Sequence, residues 1–186
     1  FFRCSECKEK LINTNSCSGC SKIYYNNEGF FDFTNTPITN TNQKFSNLLS
    51  SINSHGYSKT IKEFLKSEPE YEYRFSKKEG SLAFRAINKS SSRCLILNSD
   101  LGNIPENLSQ MYEEVYSLEN DKNKVLIQKF RFQENKIDNV VLVRSKCDSL
   151  PFPDKHFDLV VLNGIQIKRQ NGVSKTKVKE FLNEIK

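Results

Sequence analysis

Four cysteines stand near the start of the chain in two Cys-x-x-Cys pairs, Cys4 with Cys7 and Cys17 with Cys20, and nine residues separate the pairs. Each pair can turn two sulfurs toward one centre, and two pairs complete the tetrahedron that zinc accepts from four thiolates. A disulfide scaffold fits less well, because Phe1-Phe2-Arg3-Cys4 shows no basic start followed by an apolar leader. A redox pair would use one Cys-x-x-Cys beside a strand and helix, whereas two such turns fall here within roughly 17 residues. With all four ligands from cysteine, no coordination position stays open for water, so the expected zinc is structural rather than hydrolytic. Ser18 and Gly19 give the second turn small residues, and the apolar runs Ile23 to Tyr25 and Gly29 to Phe33 are expected as two short strands beside the metal. Cys94 and Cys147, isolated in apolar segments, are expected in the core, and this unpaired usage points to the cytoplasm.

A second set of chemically capable residues lies at the ends of short apolar runs. From residue 91 the pattern alternates strands and helices. Arg93 to Leu97, Val115 to Glu119, Val140 to Val143 and Phe157 to Leu162 read as strands, the first a continuous apolar run of the kind buried on both faces of a parallel sheet. Helices are expected after Gly102, with Pro105 near the start, and over Asp121 to Asn135. Repeated units of this length predict a doubly wound α/β sheet, whose ligands sit at the carboxyl ends of the strands. The residues to weigh are therefore Asn98 to Gly102, Glu119, Lys146 to Asp148 and Asn163-Gly164. A carboxylate ending the second strand, Glu119, is placed to accept two hydrogen bonds from vicinal ribose hydroxyls.

Between the cysteines and these strands lie a polar run around Pro37 and then helical spacing: Phe45, Leu48, Leu49 and Ile52, a break at His55-Gly56, then Ile61, Phe64 and Leu65. Two amphipathic helices are expected there. Glu70 to Phe75 alternates, and its aromatics Tyr71, Tyr73 and Phe75 read first as core, with stacking on a ligand as the rival role; Ser76 to Asn88 has helical spacing. Net charge is +6, and its excess sits in residues 36 to 90, with nine basic and five acidic side chains. Lysine and asparagine are spread evenly along the chain, so most lysines are expected on solvated faces, with a nucleic-acid patch on the middle segment as the alternative. No apolar stretch approaches the roughly 20 residues a membrane helix needs. His55 and His156 are expected in structural roles. Because the chain starts at Phe1 and the helical stripe of Val178 to Lys186 has no terminator, the sequence reads as a piece of a longer protein.

The segment Ser149-Leu-Pro-Phe-Pro-Asp-Lys-His-Phe-Asp-Leu-Val-Val-Leu-Asn-Gly164 resembles the stretch leading into the fourth strand of class I S-adenosylmethionine-dependent methyltransferases of the type 11 kind. Arg93 to Gly102 then falls on that family's first strand and glycine loop, and Glu114 to Glu119 on its second strand and ribose-binding acid. The resemblance covers residues 91–186 and implies an incomplete Rossmann-like methyltransferase sheet, preceded by a zinc ribbon (1–35) and by a linker and helical segment (36–90). It also implies that S-adenosylmethionine lies with its methionine part against Asn98 to Gly102, its ribose on Glu119, its adenine near Cys147 and its methyl group facing Asn163. The family's loop carries three glycines where this chain has Asn98, Asp100 and Gly102. Asparagine and aspartate tolerate left-handed backbone better than other residues, so the turn is expected to form, with Asp100 facing the cofactor's ammonium group. After the third strand, where the family often has an acid for the adenine amino group, stands Lys146, which cannot accept that bond.

Two functions follow as expectations. One is a methyltransferase whose acceptor is RNA, a small molecule or a glycan. The alternative is a catalytically degenerate methyltransferase fold that serves as a scaffold, its ribbon contacting RNA or protein.

Overall fold

A computed structural model describes residues 2–12, 16–24, 28–34, 42–76, 93–147 and 150–163. The element order is β1 (Leu11–Ile12), β2 (Ser16–Cys17), β3 (Phe31–Asp32), α1 (Gln43–His55), α2 (Tyr57–Ser67), a 3-10 turn (Pro69–Tyr71), α3 (Glu72–Phe75), β4 (Arg93–Leu97), α4 (Asn103–Leu108), β5 (Glu114–Glu119), α5 (Lys122–Glu134), β6 (Val140–Arg144) and β7 (Leu159–Leu162). Five strands form one parallel sheet in the order β3-β6-β5-β4-β7. The fold is thus α/β with the expected Rossmann-like sheet.

The apolar runs form these strands because parallel strands are covered on both faces. Cys94 to Leu97 are all buried, as are Val115 to Glu119. On one face Cys94 and Ile96 pack with Leu108, Tyr112 and Val115; on the other Leu95 and Leu97 pack with Tyr116, Leu118 and Val143. Burial pushes the Cys94 thiol up to about 12, so this cysteine is inert core.

The cysteine segment does not form the separate ribbon with two neighbouring strands that the sequence suggested. β1 and β2 pair antiparallel beside the sulfurs, and Ile23 contributes one isolated bridge to Ser16. Phe31 and Asp32 instead join the large sheet, paired parallel with Val143 and Arg144, and Asp32 forms an ion pair with Arg144 at 2.8 Å. Phe2, Cys4, Leu11, Cys17, Tyr24 and Phe33 share one apolar cluster with Leu118, Val143, Leu150 and Phe152. A module this small lacks a core of its own, and the edge of a buried sheet supplies one.

The break predicted at His55-Gly56 is where α1 ends and α2 begins, because Gly56 takes φ 82°, a conformation that suits glycine. Asn42 caps α1 by accepting from the Lys44 amide at 3.0 Å. Phe45, Leu48, Ile52 and Ile61 bury their stripe against Ile127 of α5 and Leu101 of the loop after β4. The alternation of residues 70–75 lies on the 3-10 turn and α3 rather than on extended backbone. Tyr71 and Phe75 pack with Phe64 as core, whereas Tyr73 is 55% exposed. The helical readings beyond Ser76 and over Val178 to Lys186 lie outside the described residues. No helix among the described residues is long and apolar enough to cross a membrane.

Candidate functional site

The chain runs β4, β5, β6 in one direction across the sheet and then returns β7 to the other side of β4. Loops leaving β4 and β7 therefore diverge, and a crevice opens between them at the carboxyl ends. Leu97 and Leu162 are in register there, so the next residues, Asn98 and Asn163, stand side by side. Asn98 Nδ2 donates to the Asn163 carbonyl at 2.7 Å, and Asn163 Nδ2 donates to the Asn98 carbonyl at 3.2 Å. A cleft of about 590 Å³ opens above this pair; its walls include Asp100, Tyr73, Arg74 and Lys124.

The loop after β4 takes the left-handed turns expected of it. Asn98, Asp100 and Gly102 have φ of 57°, 55° and 84°. At Gly102 there is also no room for a side chain, since a Cβ would come within 3.0 Å of Gln128 and Phe132 of α5. Gly102 thus packs helix against loop and does not face the cleft. Gln128, fully buried, holds the loop from below, donating to the Asp100 carbonyl at 2.7 Å and to Ser99 Oγ at 3.0 Å while accepting from Ser117 Oγ at 2.5 Å.

Asp100 points into the cleft between two cations. Arg74 Nε donates to it at 2.5 Å and Arg74 Nη2 makes a second bond, while Lys124 Nζ lies 2.9 Å away. Burial alone would raise the Asp100 carboxyl, but Arg74 and Lys124 outweigh it and hold it below the usual carboxylate range.

Glu119 lies directly behind Asp100 and is 3% exposed. Its Oε2 accepts from the Asp100 amide at 3.0 Å, and its Oε1 accepts from the amides of Asn120 and Asp121 at 2.8 and 3.0 Å. A carboxylate offers about four acceptor positions. Three are taken by backbone, so Glu119 as it stands has room for one ribose hydroxyl rather than the two the sequence suggested. Burial pushes its carboxyl up, against the pull of Lys124 and of these amides. Cys147 is half-buried against the apolar cluster of the Phe2 side and does not line the cleft. The structure thus brings Asn98, Asp100 and Asn163 together, keeps Glu119 one hydrogen bond behind them, and places Gly102 and Cys147 elsewhere.

Arg74, Lys124 and Gln128 were not singled out by the sequence. For the last two a signal existed: Lys124, Gln128 and Arg131 follow helical spacing and interrupt the apolar face of α5, where Gln128 and Arg131 are buried. Arg74 gave no signal, because only the tertiary fold carries α3 to the loop.

The four sulfurs gather as the spacing predicted, all within 4.8 Å of one another. Cys4 and Cys20 sulfurs are 3.6 Å apart, those of Cys7 and Cys17 3.2 Å. A zinc tetrahedron with bonds of about 2.3 Å has edges of roughly 3.8 Å, so the donor set fits that ion. Cys4 Sγ also lies 3.0 Å from the Tyr24 hydroxyl and accepts from the Glu6 amide at 3.4 Å. A thiolate is the form that ligates metal. His55 is exposed near the end of α1, and His156 stacks edge-on to Phe157, so neither enters the cleft or the sulfur cluster.

With this geometry in place, the methyltransferase-domain family matches residues 100–184, just under half of the chain. A candidate S-adenosyl-L-methionine-dependent methyltransferase of Methanococcus maripaludis superposes with a TM-score of 0.51 at 17% identity over 70% of this chain. Phosphoethanolamine N-methyltransferase 1 of Haemonchus contortus, in complex with phosphoethanolamine and S-adenosylhomocysteine, superposes with a TM-score of 0.51 at 14% identity over 76% of this chain. The fold is that of the Rossmann-like methyltransferases. The chain spans 58% and 28% of the lengths of those two proteins, and among curated proteins none matches its sequence.

Proposed function

We propose that this chain binds S-adenosylmethionine in the cleft at the switch point and serves methyl transfer to an acceptor. The observation that carries this reading is the convergence of Asn98, Asp100 and Asn163 at the carboxyl ends of β4 and β7, with the acid Glu119 directly behind. The family match over residues 100–184 supports it. Bound sulfonium supplies an already activated methyl group, so the protein's share of the chemistry is orientation and exclusion of water. Asp100 would hold the ammonium end, Glu119 one ribose hydroxyl, and Asn163 would face the methyl group.

In this reading residues 91–186 hold the cofactor, residues 36–90 wall the acceptor side, and residues 1–35 carry a structural zinc on Cys4, Cys7, Cys17 and Cys20. The thiolates suit the reducing cytoplasm. The acceptor stays open among RNA, small molecules and glycans. Isothermal titration of the zinc-loaded chain with S-adenosylmethionine tests the proposal, with saturable one-site binding expected. A folded, zinc-loaded chain that binds none would leave the scaffold alternative in its place.

A further inference from the structure

Tyr24 stands where the cysteine cluster meets the large sheet, and it is 2% exposed. Its ring packs on that of Phe33 with centroids 4.8 Å apart, and the Phe33 amide donates to the Arg144 carbonyl of β6 at 2.8 Å. The ring is thereby set by the core of the sheet. A buried phenol keeps its hydroxyl bonded, and this one reaches back to the cysteines. It lies 3.0 Å from Cys4 Sγ, 3.2 Å from the Ser5 amide nitrogen and 3.0 Å from Ser5 Oγ.

The direction of these bonds follows from the donors present. A phenol has one proton to give and two lone pairs to accept with. The Ser5 amide can only donate, so it takes one lone pair of the Tyr24 oxygen, and the Ser5 hydroxyl proton can take the other. Cys4, as a metal-ligating thiolate, can only accept. The Tyr24 proton then goes to Cys4 Sγ, which also accepts from the Glu6 amide at 3.4 Å. The four sulfurs do not share this need. Cys7 and Cys20 are exposed and open to water, whereas Cys4 is fully buried in one cluster with Phe2, Leu11 and Phe33. Apolar burial disfavours a charged sulfur, and a hydrogen bond donated to the charged form offsets that cost. We infer that Tyr24 is a positioning residue of the metal site, donating its hydroxyl proton to Cys4 Sγ so that the buried sulfur is stabilised and oriented as a ligand. The inference rests on the zinc reading above and adds to its four ligands a residue through which the sheet sets the grip on the metal.

The test uses the full chain as wild type, Tyr24→Phe and Ser5→Ala, with zinc affinity measured by competition against a chelator. Tyr24→Phe keeps the ring and removes only the hydroxyl, and it should bind zinc about 10–100-fold more weakly, the usual cost of losing a hydrogen bond to a metal ligand. Ser5→Ala leaves the Tyr24 proton on Cys4 and should lose less. In the cobalt(II)-loaded chain, the sulfur-to-metal charge-transfer band of Tyr24→Phe should move to lower energy, because a thiolate without its hydrogen bond gives up electron density more easily. Altered packing alone would not move that band. Urea unfolding of the metal-free chains should show a smaller loss for Tyr24→Phe than the loss in zinc affinity, since a neutral thiol makes a weaker hydrogen bond than a thiolate. An equal loss there, an unmoved cobalt band, or unchanged zinc affinity in Tyr24→Phe would each overturn this inference alone and leave Tyr24 as a core residue. A folded wild type that binds no zinc overturns the zinc reading and this role with it.

Discussion

Asp100 and Glu119 are the two carboxylates of the site, and their surroundings set them apart. Asp100 is paired with guanidinium and ammonium, whereas Glu119 is bonded to backbone amides in a buried position. Because the folded Asp100 carboxyl lies below its ordinary value, its stabilisation is present above the usual aspartate range and is lost as pH falls through the depressed value. Wild type should therefore unfold at higher urea than Asp100→Asn at pH 7, and the gap should narrow below about pH 4. Equal midpoints at pH 7 would mean that the two ion pairs contribute nothing net. For Glu119 the sequence suggests a ribose contact, but its three backbone partners make it part of the fold as well. Glu119→Ala should cost about 1–3 kcal/mol of stability by orphaning buried amides, measured by chemical denaturation without ligand. At this scale the strand-end positions were legible in the sequence, and the number of lone pairs left on Glu119 was not.

Elements meet at one buried ion pair. Arg131 Nε of α5 donates to Glu106 Oε2 of α4 at 2.5 Å, both side chains being nearly inaccessible, and the same guanidinium holds the end of α3. Removing one partner of a buried pair leaves a charge with no counterion, at a cost of about 3–5 kcal/mol. Arg131→Met should show that loss in unfolding experiments, together with faster amide exchange over residues 72–76. The double change Arg131→Met with Glu106→Leu should regain most of the stability, because an apolar pair of similar volume needs no desolvation of charge. The helices themselves were readable: the apolar stripe, the Asn42 cap and the Gly56 break are local signals. Residues 70–75 were harder to read, because in so short a segment alternation does not separate a strand from a turn of helix.

For the whole molecule, the sulfur cluster and the sheet share one apolar core. Cys4 and Cys17 lie in the same cluster as Leu118, Val143 and Leu150, and the Arg3 amide donates to the Pro151 carbonyl at 3.0 Å. Chelating the proposed zinc should therefore lower the midpoint of the main thermal transition, since that core would lose its fixed edge. A separate early transition that left the main one unmoved would show the cysteine segment to be independent. The sequence by itself determined what depends on neighbouring residues: the two Cys-x-x-Cys turns, the apolar strand runs, the helix break, and the left-handed loop built on Asn98 and Asp100. The tertiary structure alone decided the pairing of Phe31 with Val143, the reach of Arg74 to Asp100 and the use of Glu119 by the loop amides. Each joins residues far apart in the chain or spends a bond on backbone. Such contacts are fixed by how the sheet and helices close on one another, and local spacing carries no record of them.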